Sequence, residues 1–228
     1  MIEVRPIALL RTPFAEKFGV PRQSGIVPAA EGRVEFLPEF ASPDFVRGLD
    51  AFSHLWLLTG FHKNPPWDGA ATVRPPRLGG NERVGVFASR SPLRPNGLGL
   101  SLVRLIAIEP GLLRVEGIDC VDGTPVYDIK PYLPYCEAKP DARADWAGGA
   151  PAVRAPGQIR IPDAVAAGLP EPVRELARQL LALDLQPAYQ KAEAGRVYGM
   201  TVAGWNLRWR HQGAEVELIE ATPAAQPG

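Results

Sequence analysis

Along its first half the chain alternates apolar and polar residues in short runs. They fall at Ile2 to Leu10, Arg33 to Leu37, His54 to Phe61, Arg83 to Ala88, Leu100 to Ile108, Arg114 to Ile118 and Val126 to Ile129. A period of two puts one set of side chains on a buried face, so these runs predict β-strands. No helical pattern of ten or more residues interrupts them, which argues against alternating strand–helix units and for a sandwich or barrel. Ser42-Pro43-Asp44 predicts a short helix start: serine caps, proline suits the first turn and aspartate favours its positive end. From Pro134 to Gly157 the composition turns to Ala, Pro, Gly, Asp and Arg, and repeated prolines and glycines interrupt any regular element. Beyond it, Pro172 to Leu183 sets Val173, Leu176, Ala177, Leu180 and Leu181 at helical spacing. Strand patterns follow at Val197 to Val202, Asn206 to Arg210 and Glu215 to Ile219, which completes a small α+β unit. The expected organisation is a β domain over residues 1–140, a linker over 141–157 and the α+β unit over 158–228.

Composition adds limits. The chain has 228 residues, enough for one large domain or a domain with a small appendage. Apolar residues make up 46% and charged residues 22%, so a core can form and disorder is excluded. Twenty-five Lys and Arg balance twenty-five Asp and Glu, so any polyanion site must be local. The N-terminus lacks a signal-peptide pattern and no apolar run approaches a membrane span, which leads to the expectation of a cytoplasmic protein without membrane contact. Cys120 and Cys136 are too far apart for a paired motif and lack histidines at ligand spacing, so buried free thiols and no metal are expected.

Four groups of residues could carry chemistry. Arg74, Arg77, Arg83, Arg90 and Arg94 face only Glu82 within Thr72 to Asn96, a local charge of +4 on turn-rich sequence. Such guanidinium forks suit phosphate, or they pair with acids elsewhere. Asp122-Gly123 marks a tight turn whose backbone could also bind a small ligand. His62 lies at the end of a predicted strand, where a barrel mouth would open, and is otherwise structural. Tyr189 to His211 interleaves Tyr189, Tyr198, Trp205 and Trp209 with Lys191, Arg196, Arg208 and Arg210. That mixture suits unstacked bases and a phosphate backbone, or a strand pair with an aromatic core and a cationic face. Nucleophile-elbow, P-loop and dinucleotide motifs are absent.

Several segments together resemble the TsaA-like family, which includes the TrmO-type tRNA methyltransferases. They are Pro21 to Gly25, Val46 to Trp56, Thr72 to Gly80, Gly85 to Asn96, Asp119 to Tyr132, Pro187 to Tyr189 and Asn206 to Arg210. The resemblance implies a mainly β fold, with an N-terminal β-barrel that binds S-adenosyl-L-methionine and a small α+β C-terminal domain that contacts tRNA. It implies a homodimer that methylates the exocyclic amino nitrogen of threonylcarbamoyladenosine beside the anticodon of threonine tRNA. By motif, cofactor contacts fall on Ser24, Gly25, Ile26, His62, Lys63, Arg90, Leu100, Cys120, Val121, Asp122 and Gly123. The arginine-rich loop and C-terminal unit then face the anticodon loop through Arg74, Arg77, Arg94, Lys130, Tyr189, Lys191, Arg208 and Arg210. A sulfonium donor needs alignment more than acid–base help; no residue stands out as an obligatory base, and His62 and Tyr189 are the candidates. The alternatives are a non-catalytic RNA-binding protein on the same barrel and a small-molecule methyltransferase.

Overall fold

The computed structural model describes residues 3–183 and 195–225. In chain order the first part contains β1 (Ala8–Arg11), β2 (Glu31–Phe36), β3 (His54–Gly60), the short pair β4 (Thr72–Val73) and β5 (Val84–Gly85), β6 (Leu98–Glu109), β7 (Leu112–Glu116) and β8 (Thr124–Pro131). Six of these close into a barrel in the order β1-β2-β7-β6-β3-β8. Every neighbouring pair is antiparallel. Closure satisfies the strand edges that an open sheet would leave free.

The period-two pattern decides what fills the barrel. Ala8 and Leu10, Val34, Leu55 and Leu57, Val103, Leu113 and Val115, and Val126 all point inward and are buried. Each large one contributes roughly 1.5–3 kcal/mol of burial. At one end the inward positions become small and polar: Thr59 on β3, Ser101 on β6 and Thr124 on β8 are also buried. The barrel interior is therefore apolar through most of its length and polar at a single mouth.

After β8 come the one-turn helix α1 (Pro134–Glu137), β9 (Ile159–Arg160), the one-turn α2 (Asp163–Ala166) and α3 (Glu171–Ala182). The chain ends with β10 (Val197–Val202), β11 (Trp205–Gln212) and β12 (Glu215–Pro223). These form a sheet of order β10-β11-β12-β9, with β9 parallel to β12. Pro172 occupies the first turn of α3, and the helix buries Leu176, Ala177, Leu180 and Leu181.

This unit docks on the barrel of its own chain. Ala203 N donates to Pro13 O at 2.7 Å, and Ala29 N donates to Gln179 Oε1 at 2.9 Å. The Phe18 ring stacks against Trp209 at 6.3 Å. All these barrel partners lie on the β1–β2 loop, so the C-terminal unit grips that loop at both ends.

Three local expectations change. Arg83 to Ala88 is not a full strand: β5 covers only two residues and a 3-10 turn, Val86–Ala88, follows. Only Val86 of this run is buried and Phe87 is 80% exposed, so no continuous buried face holds it extended. The Ser42 start forms a 3-10 turn over Pro43–Val46, with Ser42 Oγ accepting from Asp44 N. Cys136 is exposed on α1, outside the barrel, whereas Cys120 is buried. Ile2, where the first predicted run begins, lies outside the described residues.

Candidate cofactor and RNA-binding site

β1, β3 and β7 end, and β2, β6 and β8 begin, at the polar mouth. Three loops therefore emerge together there: residues 12–30, 61–97 and 117–123. Backbone hydrogen bonds stitch them. Gly25 N donates to Gly117 O at 2.7 Å, Asp122 N to Phe14 O at 2.7 Å, and Gly123 N to Leu10 O at 2.9 Å. Side chains add to these bonds: Asp122 Oδ1 accepts from Thr12 N at 2.9 Å, and Thr12 Oγ1 donates to Cys120 O at 3.0 Å. Ser24 Oγ accepts from Leu102 N at 3.0 Å, and Lys63 Nζ donates to Ala15 O at 2.7 Å. Gly117 has a φ of 75°, and a Cβ there would lie 3.0 Å from the Gly25 Cα. Only glycine allows the two segments to meet this closely.

Most of the predicted cofactor residues converge on this mouth. Ser24 and Gly25 sit against 117–119, Cys120 to Gly123 form the β7–β8 loop, and His62 Nδ1 lies 3.5 Å from Thr124 Oγ1. Arg90 reaches the same loop cluster by donating to Gln23 Oε1. Ile26 packs against the core. Leu100 is different: its side chain projects from the outer wall of β6 and is 59% exposed, while its neighbour Ser101 points inward. The His62 imidazole is held below its usual pKa, first by partial burial and then by the Lys63 cation, which favours the neutral ring. Burial pushes the Cys120 thiol up to about 12, so it remains a thiol at neutral pH and is no nucleophile.

The polar residues beneath the mouth were not singled out from sequence. Ser101 Oγ donates to Asp119 Oδ1 at 2.6 Å. Buried Thr59 Oγ1 lies beside the Cys120 thiol and has no hydrogen-bond partner among the described residues. The available signal was a serine and a threonine at inward positions of otherwise apolar strands. These groups, with open space around Gly25, fit a small polar cofactor such as S-adenosylmethionine.

The expected RNA contacts are less uniform. Arg74 is exposed and makes no ion pair among the described residues. Arg77 is tied to the Ala147 and Gly149 carbonyls, and Arg94 donates to Ser89 O and Ser91 O. Lys130 lies on the outer wall of β8, paired with Asp128 at 2.9 Å. On β11, Leu207, Trp209 and His211 are buried, while Arg208 and Arg210 pair with Glu220 and Glu217 at 2.9 and 2.7 Å. An aromatic inner face and a cationic outer face therefore coexist on this strand. Tyr189 and Lys191 lie outside the described residues.

Charge is segregated by barrel end. The 12–30 loop carries Lys17 and Arg22 against Glu16, the 61–97 loop carries Lys63 and five arginines against Asp68 and Glu82, and the 117–123 loop adds Asp119 and Asp122, which leaves the mouth net positive. At the opposite rim, residues 37–53 carry Glu39, Asp44 and Asp50 against Arg47. Among the described residues no group of side chains could hold a metal ion, and no helix is long and apolar enough to cross a membrane.

A family model described as the tRNA-methyltransferase O N-terminal domain matches residues 9–138, and one for the TrmO C-terminal domain matches residues 162–224. The chain is 43% identical over 226 residues to a tRNA (adenine(37)-N6)-methyltransferase of Escherichia coli (strain K12), covering 95% of this chain and 96% of that protein. It is 47% identical over 213 residues to a putative S-adenosylmethionine-dependent methyltransferase, RcsF, of Pseudomonas aeruginosa, covering 91% and 92%. A crystal structure of TrmO from P. aeruginosa superposes with a TM-score of 0.82 at 36% identity, covering 97% of this chain and 98% of that one.

Proposed function

The chain belongs to the tRNA-methyltransferase O family, and from that premise we propose that it is an S-adenosylmethionine-dependent tRNA (adenine(37)-N6)-methyltransferase acting on threonylcarbamoyladenosine of threonine tRNA. The observation that carries this reading is the polar mouth, where three loops meet beneath a cation-rich rim on a molecule whose formal charges sum to zero. When bound, the cofactor supplies a methyl group already activated on a sulfonium.

The chain's own residues then have two tasks. Ser24 to Ile26, His62, Lys63, Arg90, Leu100 and Cys120 to Gly123 hold the donor, largely through backbone whose position is fixed by the bonds between the loops. Rigid placement is what such a transfer requires. Neutral His62 can accept a proton at the mouth, and Tyr189 is the candidate for orienting the base. Arg74, Arg77 and Arg94, carried on the 61–97 loop, would meet the phosphates of a splayed anticodon loop. Lys130, Lys191, Arg208 and Arg210 would extend this contact. Exposed Leu98 and Leu100 on the outer wall of β6 offer an apolar surface for a homodimer partner. A cytoplasmic location fits a tRNA substrate.

Purified protein with labelled cofactor is expected to methylate threonine tRNA that carries the threonylcarbamoyl group and to leave tRNA without it unlabelled. Equal labelling of both would refute the substrate, and no saturable cofactor binding by calorimetry would favour the RNA-binding alternative. Arg74→Ala is expected to weaken tRNA binding and to lower the slope of log affinity against log salt by about one, without changing cofactor affinity. Filter binding across a salt series measures it. Arg77→Ala is a less clean test, because this side chain also braces residues 147–149.

A further inference from the structure

Asp119 lies under the mouth between the two main cofactor segments, and its carboxylate is enclosed by donors from three directions. Ser101 Oγ donates from β6 at 2.6 Å. The Cys120 thiol donates from its own loop at 3.7 Å, and the Ser24 amide donates from the β1–β2 loop. All three donors are neutral. No cation among the described residues pairs with Asp119, although the rims around it are rich in arginine. Lys63 is engaged with Ala15 O, and Arg11 reaches Asp122 rather than Asp119. A carboxylate withdrawn from water without a counter-charge is costly, and either protonation or a positive partner relieves that cost.

We propose that Asp119 is the counter-charge for a cationic group of the methyl donor, and that its bonds to Ser101 and Ser24 aim it at that group. The proposal rests on the reading of the mouth as the S-adenosylmethionine site. The donor carries two positive groups, a sulfonium and an α-ammonium, and its spent product S-adenosylhomocysteine retains only the ammonium. Burial raises the Asp119 pKa above its ordinary value, and the hydrogen bonds from Ser101, Cys120 and Ser24 only partly offset this. A bound cation would favour the ionised form, so binding should release a proton where the free carboxyl is partly protonated. Donor affinity should therefore fall as pH drops through that raised value. The other titratable and charged groups of the surrounding loops are Cys120, which stays a thiol, Asp122 beside Arg11, and His62 with Lys63 across the β7–β8 loop.

The test is calorimetry of the full chain with S-adenosylmethionine and S-adenosylhomocysteine, at neutral and mildly acidic pH, in buffers of different ionisation enthalpy. The wild type is expected to release a proton on binding the donor under mildly acidic conditions. Asp119→Asn is expected to abolish that release and to weaken donor binding about tenfold or more. A merely structural role for Asp119 would not move the proton count. Ser101→Ala, which keeps the carboxylate, should retain the release. If the product's affinity falls much less than the donor's, the partner is the sulfonium; an equal fall identifies the ammonium. Either result sustains the proposal. Donor affinity within twofold of wild type in Asp119→Asn, or release that persists in it, overturns the proposal while leaving the cofactor site intact. Should that variant not fold, the wild type decides: donor affinity that weakens as pH falls, with a proton released on binding, supports the proposal, and binding that releases no proton and is unchanged by pH overturns it. A wild type that binds no donor overturns both this proposal and the reading on which it rests.

Discussion

Gly117→Ala is expected to weaken S-adenosylmethionine binding by at least about tenfold and to lower the melting temperature by roughly 5–10 °C, while leaving a folded barrel. Two costs combine. An alanine at a φ of 75° is strained by about 1–2 kcal/mol. Its Cβ would also press on the backbone of Gly25, at 3.0 Å from Cα and 3.2 Å from N, and backbone cannot rotate away as a side chain would. Overpacking of this kind typically adds about 1–3 kcal/mol, and in a chain this long each kcal/mol shifts the midpoint by roughly 2–4 °C. The segment that must yield carries Ser24 and Gly25, so cofactor binding suffers with stability. Calorimetry and thermal melts on the same preparation measure both. Stability lost with affinity unchanged would show that the 24–26 segment does not hold the donor.

The second large effect is expected far from the mouth. Trp209 is 2% exposed, stacked on Tyr198 at 5.9 Å and on Phe18 at 6.3 Å. Trp209→Ala should cost about 3–5 kcal/mol in the C-terminal unit. The damage should spread, because Phe18 belongs to the same loop as Ser24, and that loop is gripped through Pro13, Phe18 and Ala29. We expect earlier unfolding in denaturant, faster proteolysis within β10 to β12, and weaker cofactor binding, with Trp209→Phe restoring most of each. Unaltered cofactor affinity would mean that the grip on the loop is dispensable.

Alternation locates the barrel strands to within about two residues except the first, where the Ile2 to Leu10 run yields a strand only over Ala8–Arg11; a narrow closed sheet allows only one face to be buried, and each run shows that face. The pattern also marks β10 with its observed limits, because this edge strand of the open C-terminal sheet buries one face. Alternation misleads at Arg83 to Ala88, where Val86 alone is buried and Phe87 projects into solvent, and it does not find β9, a two-residue strand fixed by its pairing with β12. Strand order and closure were also beyond a pattern that is local by nature; the resemblance carried the barrel. At the site, the cofactor loops were named by motif, but Asp119 passed as part of a turn. Its significance lies in what surrounds it, and the absence of a neighbouring cation is a fact of three-dimensional placement. Arg208 and Arg210 show the converse: they read as free cations along the strand, yet their acids, Glu220 and Glu217, lie on the adjacent strand.

The opposed charges of the two rims give the barrel an electric axis that the zero total conceals. A polyanion drifting past would be turned end-on before contact, drawn to the basic mouth and pushed from the rim bearing Glu39, Asp44 and Asp50. Orientation would then be settled during approach, so that even a weak first encounter delivers the RNA to the opening and not to the closed base.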